Sequence, residues 1–285
     1  MGYQTQMELL YTSDLHGSMS HYQHVLAMLS EQTPDVLILG GDFLPDGDRG
    51  YPYPAVTKFI QKDFKEFLQL VHDLCPDISV LTIFGNHDWA FSIDEFVKLQ
   101  ELSLLRMLSH RDAVIIKGLS FLGLSHCPPA PYWIKDFERR DLKQDEPTEF
   151  GGYTWSSQMH GIISVTGRQF FAQHESLEDM LSNSPACSQP FILVSHAPPA
   201  DSHLDLLLEG KHVGSQAVRQ FLEQRQPILS LHGHLHESPI VSGHISQRYG
   251  KCLAVNPGQS LDKLCAIRWR SEQPDQIEHS LNWKS

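Results

Sequence analysis

The stretch VLTIFGNHD, residues 80–88, sets the problem. Val80 to Phe84 has the short apolar, β-favouring composition of a buried strand. Gly85 ends it, and Asn86, His87 and Asp88 then stand side by side. A turn needs only the glycine and the asparagine. An imidazole and a carboxylate at that point imply chemistry if the other strand ends carry similar side chains.

They do. Glu8–Thr12 reads as a strand and runs into TSDLHG, which carries Asp14 and His16. Val36–Leu39 runs into GGDF, with Asp42 after two glycines. Phe191–Ser195 runs into HAPP, with His196 at its start, and Ile228–Leu231 into HGHLH, with His234 and His236. In open α/β sheets the carboxyl ends of strands line the ligand crevice. Residues two apart on an extended strand end face the same side, so Asp14 with His16, and His234 with His236, can each chelate.

Helices alternate with these strands. Met19–Ser30 and Ile93–Leu108 read as helices. In Ala55–Leu74 the residues Val56, Phe59, Ile60, Phe64, Phe67, Leu68 and Val71 recur at helical steps. Ala113–Lys117 and Ser120–Leu124 read as a hairpin. Further helices are expected at Arg168–Leu181 and Gly214–Gln224, and a meander of antiparallel strands from Val241 to about Ser280. The order predicts an α/β layered fold within a single domain over residues 1–285. The segment at about 126–172 is rich in Pro, Gly, aromatic and charged residues and reads as an irregular insertion or lid.

Composition bounds the function. Of 285 residues, 41% are hydrophobic and 20% charged, and the net charge is −12. A surface so acidic disfavours nucleic acid and anionic membranes. No apolar run approaches the roughly 18 residues of a spanning helix. The N-terminus lacks the basic start and apolar core of a secretory signal. The five cysteines are scattered and odd in number, with no C-x-x-C pair, which implies reduced thiols. The expected location is the cytoplasm.

The strand-end donors mix imidazole, carboxylate and amide. Such a set suits Mn, Fe, Zn, Co or Ni rather than Ca or Mg alone. It offers more donors than one catalytic ion with open positions can take, and fits two ions sharing a carboxylate. A lone D-x-H or G-D occurs often by chance; the weight lies in all of these motifs arriving in order, each after an apolar strand.

That series, Asp14-Leu15-His16, Gly41-Asp42, Gly85-Asn86-His87-Asp88, His196 and Gly233-His234-Leu235-His236, resembles the calcineurin-like metallophosphoesterase superfamily. Asn256-Pro257-Gly258 also resembles a turn found after the last motif. The resemblance implies a four-layer αββα sandwich with two mixed β-sheets. It implies two divalent transition-metal ions (Mn, Fe or Zn), one held by Asp14, His16 and His236, the other by Asn86, His196 and His234, with Asp42 bridging. It implies hydrolysis of phosphomonoesters or phosphodiesters of a small-molecule substrate by a metal-bridging hydroxide. Asn86 would also meet phosphate. His87 would be the general acid, with Asp88 either orienting that imidazole or capping the next helix.

Arg49 follows Asp42 at a longer spacing than in the protein phosphatases, and either meets phosphate or makes a loop salt bridge. His126, at the mouth of the insertion, is a further substrate-binding expectation. Tyr132, Trp133, Tyr153 and Trp155 either stack an aromatic group or anchor the insertion. The alternatives are a non-catalytic metal-binding scaffold for protein partners, which usually lacks some of these ligands, and a nuclease of the same superfamily, which usually carries a basic or coiled-coil region.

Overall fold

A computed structural model describes residues 6–47, 51–187 and 190–282. Its strands in chain order are β1 (Glu8–Thr12), β2 (Val36–Gly40), β3 (Ser79–Ile83), β4 (Arg106–Met107), β5 (Val114–Ile116), β6 (Leu119–Leu124), β7 (Gly152–Ser156), β8 (Gly161–Val165), β9 (Phe191–Ser195), β10 (Leu229–Leu231), β11 (Ser246–Tyr249), β12 (Cys252–Val255), β13 (Ala266–Arg270) and β14 (Ile277–His279). They form two six-stranded mixed sheets, in the orders β14-β13-β1-β2-β3-β4 and β11-β12-β10-β9-β6-β5, and a separate β7–β8 hairpin.

Why the central strands read as unbroken apolar runs is visible in their two faces. Successive side chains alternate sides. Leu9, Tyr11, Val36, Ile38, Leu81 and Ile83 of the first sheet meet Phe121, Ile192, Val194, Leu229 and Leu231 of the second in a core between the sheets. The residues between them, Leu10, Leu37, Leu39 and Val80, face outward onto Val25, Leu29, Val56, Phe64 and Leu68 from the helices. Leu122, Leu124 and Leu193 of the second sheet likewise face Leu177, Met180, Val218 and Phe221. Three cores between four layers give helix, sheet, sheet, helix, the expected αββα sandwich.

β1, β2 and β3 are parallel, and β6, β9 and β10 are parallel. The carboxyl ends within each set therefore lie along one edge, which is what brings distant motifs together.

Several expected elements differ. The helix predicted over Ile93–Leu108 stops at Glu101, because Ser103 takes a left-handed φ of 59° and the chain turns into β4. Ala55–Leu74 is helical but contains a π segment at Ile60–Phe64. Arg168–Leu181 splits into Gly167–Ala172 and Leu177–Ser182, the second restarted by Ser176 in a capping box with Asp179. The C-terminal strands are not one meander. β11 and β12 join the second sheet, with β12 parallel to β10, while β13 and β14 join the first. No helix among the described residues is long and apolar enough to cross a membrane.

Candidate active site

The loops after the parallel strands hold their polar residues in uncommon backbone. Asp14 (φ 59°), His16 (φ 45°), Asp42 (φ 51°) and His234 (φ 68°) are all left-handed. Aspartate and histidine tolerate that region better than most residues, yet such conformers persist only where surroundings over-determine them, at a cost of about 1–3 kcal/mol each. Here the surroundings are explicit. The amides of Asp14, His16 and Gly17 donate to the carbonyls of Gly41, Asp42 and Phe43, each at 2.9 Å, locking the β1 loop to the β2 loop. The His234 amide donates to both Asp14 carboxylate oxygens, at 3.0 and 3.1 Å. Asn256 Nδ2 donates to the carbonyls of Gly233 and Leu235 at 3.3 and 3.2 Å, so the Asn256-Pro257-Gly258 turn pins the loop that carries His234 and His236.

The side chains converge. Donor atoms of Asp14, His16 and His236 lie within 4.8 Å of one another, as do those of Asp14, Asp42 and His196. His236 Nε2 is 3.2 Å from Asp14 Oδ1, and His196 Nε2 is 3.1 Å from Asp42 Oδ2. Asp42 is divided between tasks, since its Oδ1 accepts the His87 amide at 2.7 Å and its Oδ2 faces His196.

The chemistry of this donor set fits cations. His196 Nδ1 lies 2.8 Å from the Gly40 carbonyl, which can only accept, so Nδ1 carries the proton. In the neutral ring Nε2 is then a lone pair pointing at a carboxylate. The contact with Asp42 is close, but Nε2 lacks hydrogen-bond geometry with it and has no partner among the described residues; Asn86 Oδ1, also buried, has none among them either. A buried acceptor facing carboxylates needs positive charge between them. Burial pulls the His196 pKa down, but Asp42 and Asp14 outweigh it and raise it to about 9, the same demand expressed as proton affinity. Burial and then the His196 charge pull His234 down to about 3, so it stays neutral, the form that ligates metals.

Beside this cluster, His87 Nδ1 lies 3.0 Å from Asp46 Oδ1, and the Tyr132 ring stacks on the imidazole at 3.8 Å between centroids. Burial lowers the His87 pKa, but Asp42 and the hydrogen bond to Asp46 more than reverse that, and the net shift is upward.

Two expectations are corrected. Asp88 does not orient His87. Its Oδ2 accepts the amides of Asp42 and Gly85, both at 2.9 Å, and its Oδ1 that of Leu44 at 3.2 Å. The chain turns at Asn86–His87, closed by the Asp88 amide donating to the Gly85 carbonyl at 3.1 Å, and Asp46, from the β2 loop, takes the place beside the imidazole. Nor does His126 reach the cluster. It packs on Phe137, with ring centroids 5.4 Å apart, near Arg139, and burial lowers its pKa well below the usual range. Arg49 lies outside the described residues.

Asp46 lies in the loop after Asp42 and Tyr132 in the insertion, and only the fold brings them to His87. Cys127 was missed altogether: its sulfur lies within 4.8 Å of the His196 and His234 donors. The signal available was its position three residues past the apolar strand end at Leu124. In the insertion, Trp133 packs against Trp89 and Tyr153. Buried Asp136 accepts from the Ala90 amide, the Trp155 amide and the Thr154 hydroxyl, tying β7 to the loop after His87. These contacts anchor the insertion at Trp133, Tyr153 and the Trp155 backbone, whereas the Tyr132 ring lies on the His87 imidazole.

A family model described as calcineurin-like phosphoesterase matches residues 7–238. One solved crystal structure superposes with a TM-score of 0.62 at 14% identity, covering 97% of this chain and 99% of that one. The protein TT1561 of Thermus thermophilus gives 0.54 at 14% identity, over 97% and 99% of the two chains. A dimetal phosphatase from Danio rerio gives 0.50 at 10% identity, over 92% of each. At these identities the likeness shows the fold. No curated protein matches the chain significantly.

Proposed function

The chain belongs to the calcineurin-like phosphoesterase family, a hydrolytic phosphoesterase, and from that premise we propose a dinuclear enzyme acting on a small phosphomonoester or phosphodiester. The observation that carries this reading is His196 Nε2, a buried acceptor without a hydrogen-bond partner among the described residues, 3.1 Å from Asp42 Oδ2 and 3.9 Å from Asp14 Oδ1. Asp14, His16 and His236 would hold one divalent transition ion (Mn, Fe or Zn); Asn86, His196 and His234 the other; Asp42 both. When bound, such a pair lowers the pKa of water and offsets charge on phosphoryl oxygens.

The chain's own groups do the rest. Asn86 would offer its Oδ1 to the ion and leave its Nδ2 for a phosphate oxygen. Asp46 accepts at His87 Nδ1, so the proton His87 delivers to the leaving alkoxide comes from Nε2. Tyr132 covers one face of that ring and restricts its rotation. The net charge of −12 favours a small substrate over nucleic acid, and five unpaired cysteines favour a cytoplasmic setting.

The test is metal analysis of the purified protein alongside hydrolysis of p-nitrophenyl phosphate, bis-p-nitrophenyl phosphate and 2′,3′-cyclic AMP. The expected result is about two ions per chain and turnover of at least one ester. A fully loaded protein inert on all three would overturn the proposal.

A further inference from the structure

The chain repeats itself once at two neighbouring strand ends: Ser125-His126-Cys127-Pro128-Pro129 after β6, and Ser195-His196-Ala197-Pro198-Pro199 after β9. The two strands are parallel with Leu124 opposite Ser195, and the His196 amide donates to the Leu124 carbonyl at 3.0 Å. Continuing that register puts Ser125, not His126, beside His196. The next residue on the same face is Cys127. So the thiol enters the site while the neighbouring imidazole turns away.

Cys127 is fully buried, yet unlike Cys75 and Cys252 it belongs to none of the three apolar cores. Its backbone is held on both sides: its amide donates to the Phe137 carbonyl and its carbonyl accepts the Arg139 amide, each at 2.9 Å. Its sulfur, with the His196 and His234 nitrogens, forms a set whose members all lie within 4.8 Å. His196 Nε2 in that set is itself without a hydrogen-bond partner among the described residues.

Building on the two-ion reading above, we propose that Cys127 is a thiolate ligand to the ion held by Asn86, His196 and His234. Binding displaces the sulfur's proton to solvent and leaves an S–metal bond. The consequence is selectivity. A soft sulfur beside two imidazoles favours zinc or iron over manganese or magnesium at that position. The partner position, with Asp14, His16, Asp42 and His236, has only oxygen and nitrogen donors, so the two ions need not be alike.

The test uses the full chain loaded with cobalt(II). Wild type is expected to bind two cobalt ions and show a near-ultraviolet thiolate-to-cobalt charge-transfer band. Cys127→Ala loses the band, and its zinc affinity falls by at least the ~10–100-fold typical of removing an outer-shell partner. Cys187→Ala, at a half-buried thiol outside the site, keeps it. Two bound cobalt ions without the band in wild type, or a band that survives in Cys127→Ala, overturns the assignment. Should Cys127→Ala not fold, zinc X-ray absorption of wild type decides: a sulfur shell at about 2.3 Å supports it and a purely N/O shell overturns it. Wild type that binds no cobalt overturns the two-ion reading, and this inference with it.

Discussion

Replacing Gly85 by alanine perturbs the site without removing any donor. A Cβ on Gly85 would lie 2.5 Å from His196 Nε2 and 2.6 Å from its Cε1, and would press on Asp42 Oδ1. Neither neighbour is free to retreat. The His196 ring is fully buried, held by the Gly40 carbonyl at 2.8 Å, and its amide is held by Leu124 at 3.0 Å. Asp42 Oδ1 is held by the His87 amide at 2.7 Å. Ordinary contact begins at 3.4 Å, so from 2.5 Å the ring must give way by 0.9 Å. A misplacement near 1 Å costs roughly 10²-fold in catalysis. Overpacking costs about 1–3 kcal/mol, which at roughly 2–4 °C per kcal/mol lowers the melting temperature by several degrees. The assay is kcat/KM on an active ester at saturating metal, with metal content and a thermal melt in parallel. Gly161→Ala, whose Cβ would find only the Met159 carbonyl at 3.8 Å, is the control that leaves all three unchanged. A Gly85→Ala protein that keeps two ions and wild-type turnover refutes the premise that the gap between His196 and Asp42 is where a cation sits.

Asp42→Asn is expected to strip most of the bound metal and most turnover; metal analysis with normal ion content would dismiss the shared-carboxylate role. His87→Ala should lose about 10²–10⁴-fold in kcat, the range for a general acid. Asp46→Asn should lose less, because the Tyr132 stack remains. Removing the Asp46 charge lowers the His87 pKa, and an acid works below its pKa, so the basic limb of the pH–rate profile moves to lower pH; a limb that stays put counts against the pairing. Lys135 and Glu138 form a fully buried ion pair at 2.8 Å within the insertion. Lys135→Met leaves Glu138 uncompensated and should cost about 3–5 kcal/mol, read from denaturant unfolding. Burial, against the opposing pull of Lys135, raises the Glu138 pKa from 4.5 to about 7, and its Oε1 has no partner. The folded state therefore holds the extra proton. The Glu138 contribution to stability is greatest below about pH 4.5, falls by up to ~3 kcal/mol as pH rises through 7, and is flat above. Glu138→Gln should flatten that slope, and an unaltered slope would assign it elsewhere.

What the sequence made legible followed from burial on two faces. β1, β2, β3 and β9 pack on both sides, so each reads as an unbroken apolar run, and the polar residue after it stands out. What it hid depended on direction and partner. Short alternating strands reveal that one face is buried but not against which sheet, so β11–β14 read as one meander although they divide between two. His126 and Cys127 are one position apart, and on a strand one position exchanges faces. Histidine is the more obvious ligand, and only the fold shows that it is the cysteine sulfur that lies near His196 and His234. The pairing of Asp46 with His87 depends on how the β2 loop curls over the β3 loop, which no local pattern encodes.

Asp88 tests whether that curl is held as the hydrogen bonds indicate. Its carboxylate joins the amides of Asp42 and Leu44 after β2 to the Gly85 amide after β3, so it is a strut between the loops that carry Asp42 and Asn86. Asp88→Asn preserves shape. Its remaining oxygen can keep the Asp42 and Gly85 amides, while its NH2 meets the Leu44 amide, donor against donor. One buried amide then goes unsatisfied, at about 1–3 kcal/mol, and the two loops lose a tie. The expected outcome is a lower melting temperature and weaker metal retention, with the pH–rate profile of the metal-loaded enzyme unmoved, since His87 keeps Asp46. Were Asp88→Asn to shift the basic limb as Asp46→Asn does, with metal retention intact, the carboxylate would be tuning the imidazole after all, and its place as a strut between the loops would be wrong.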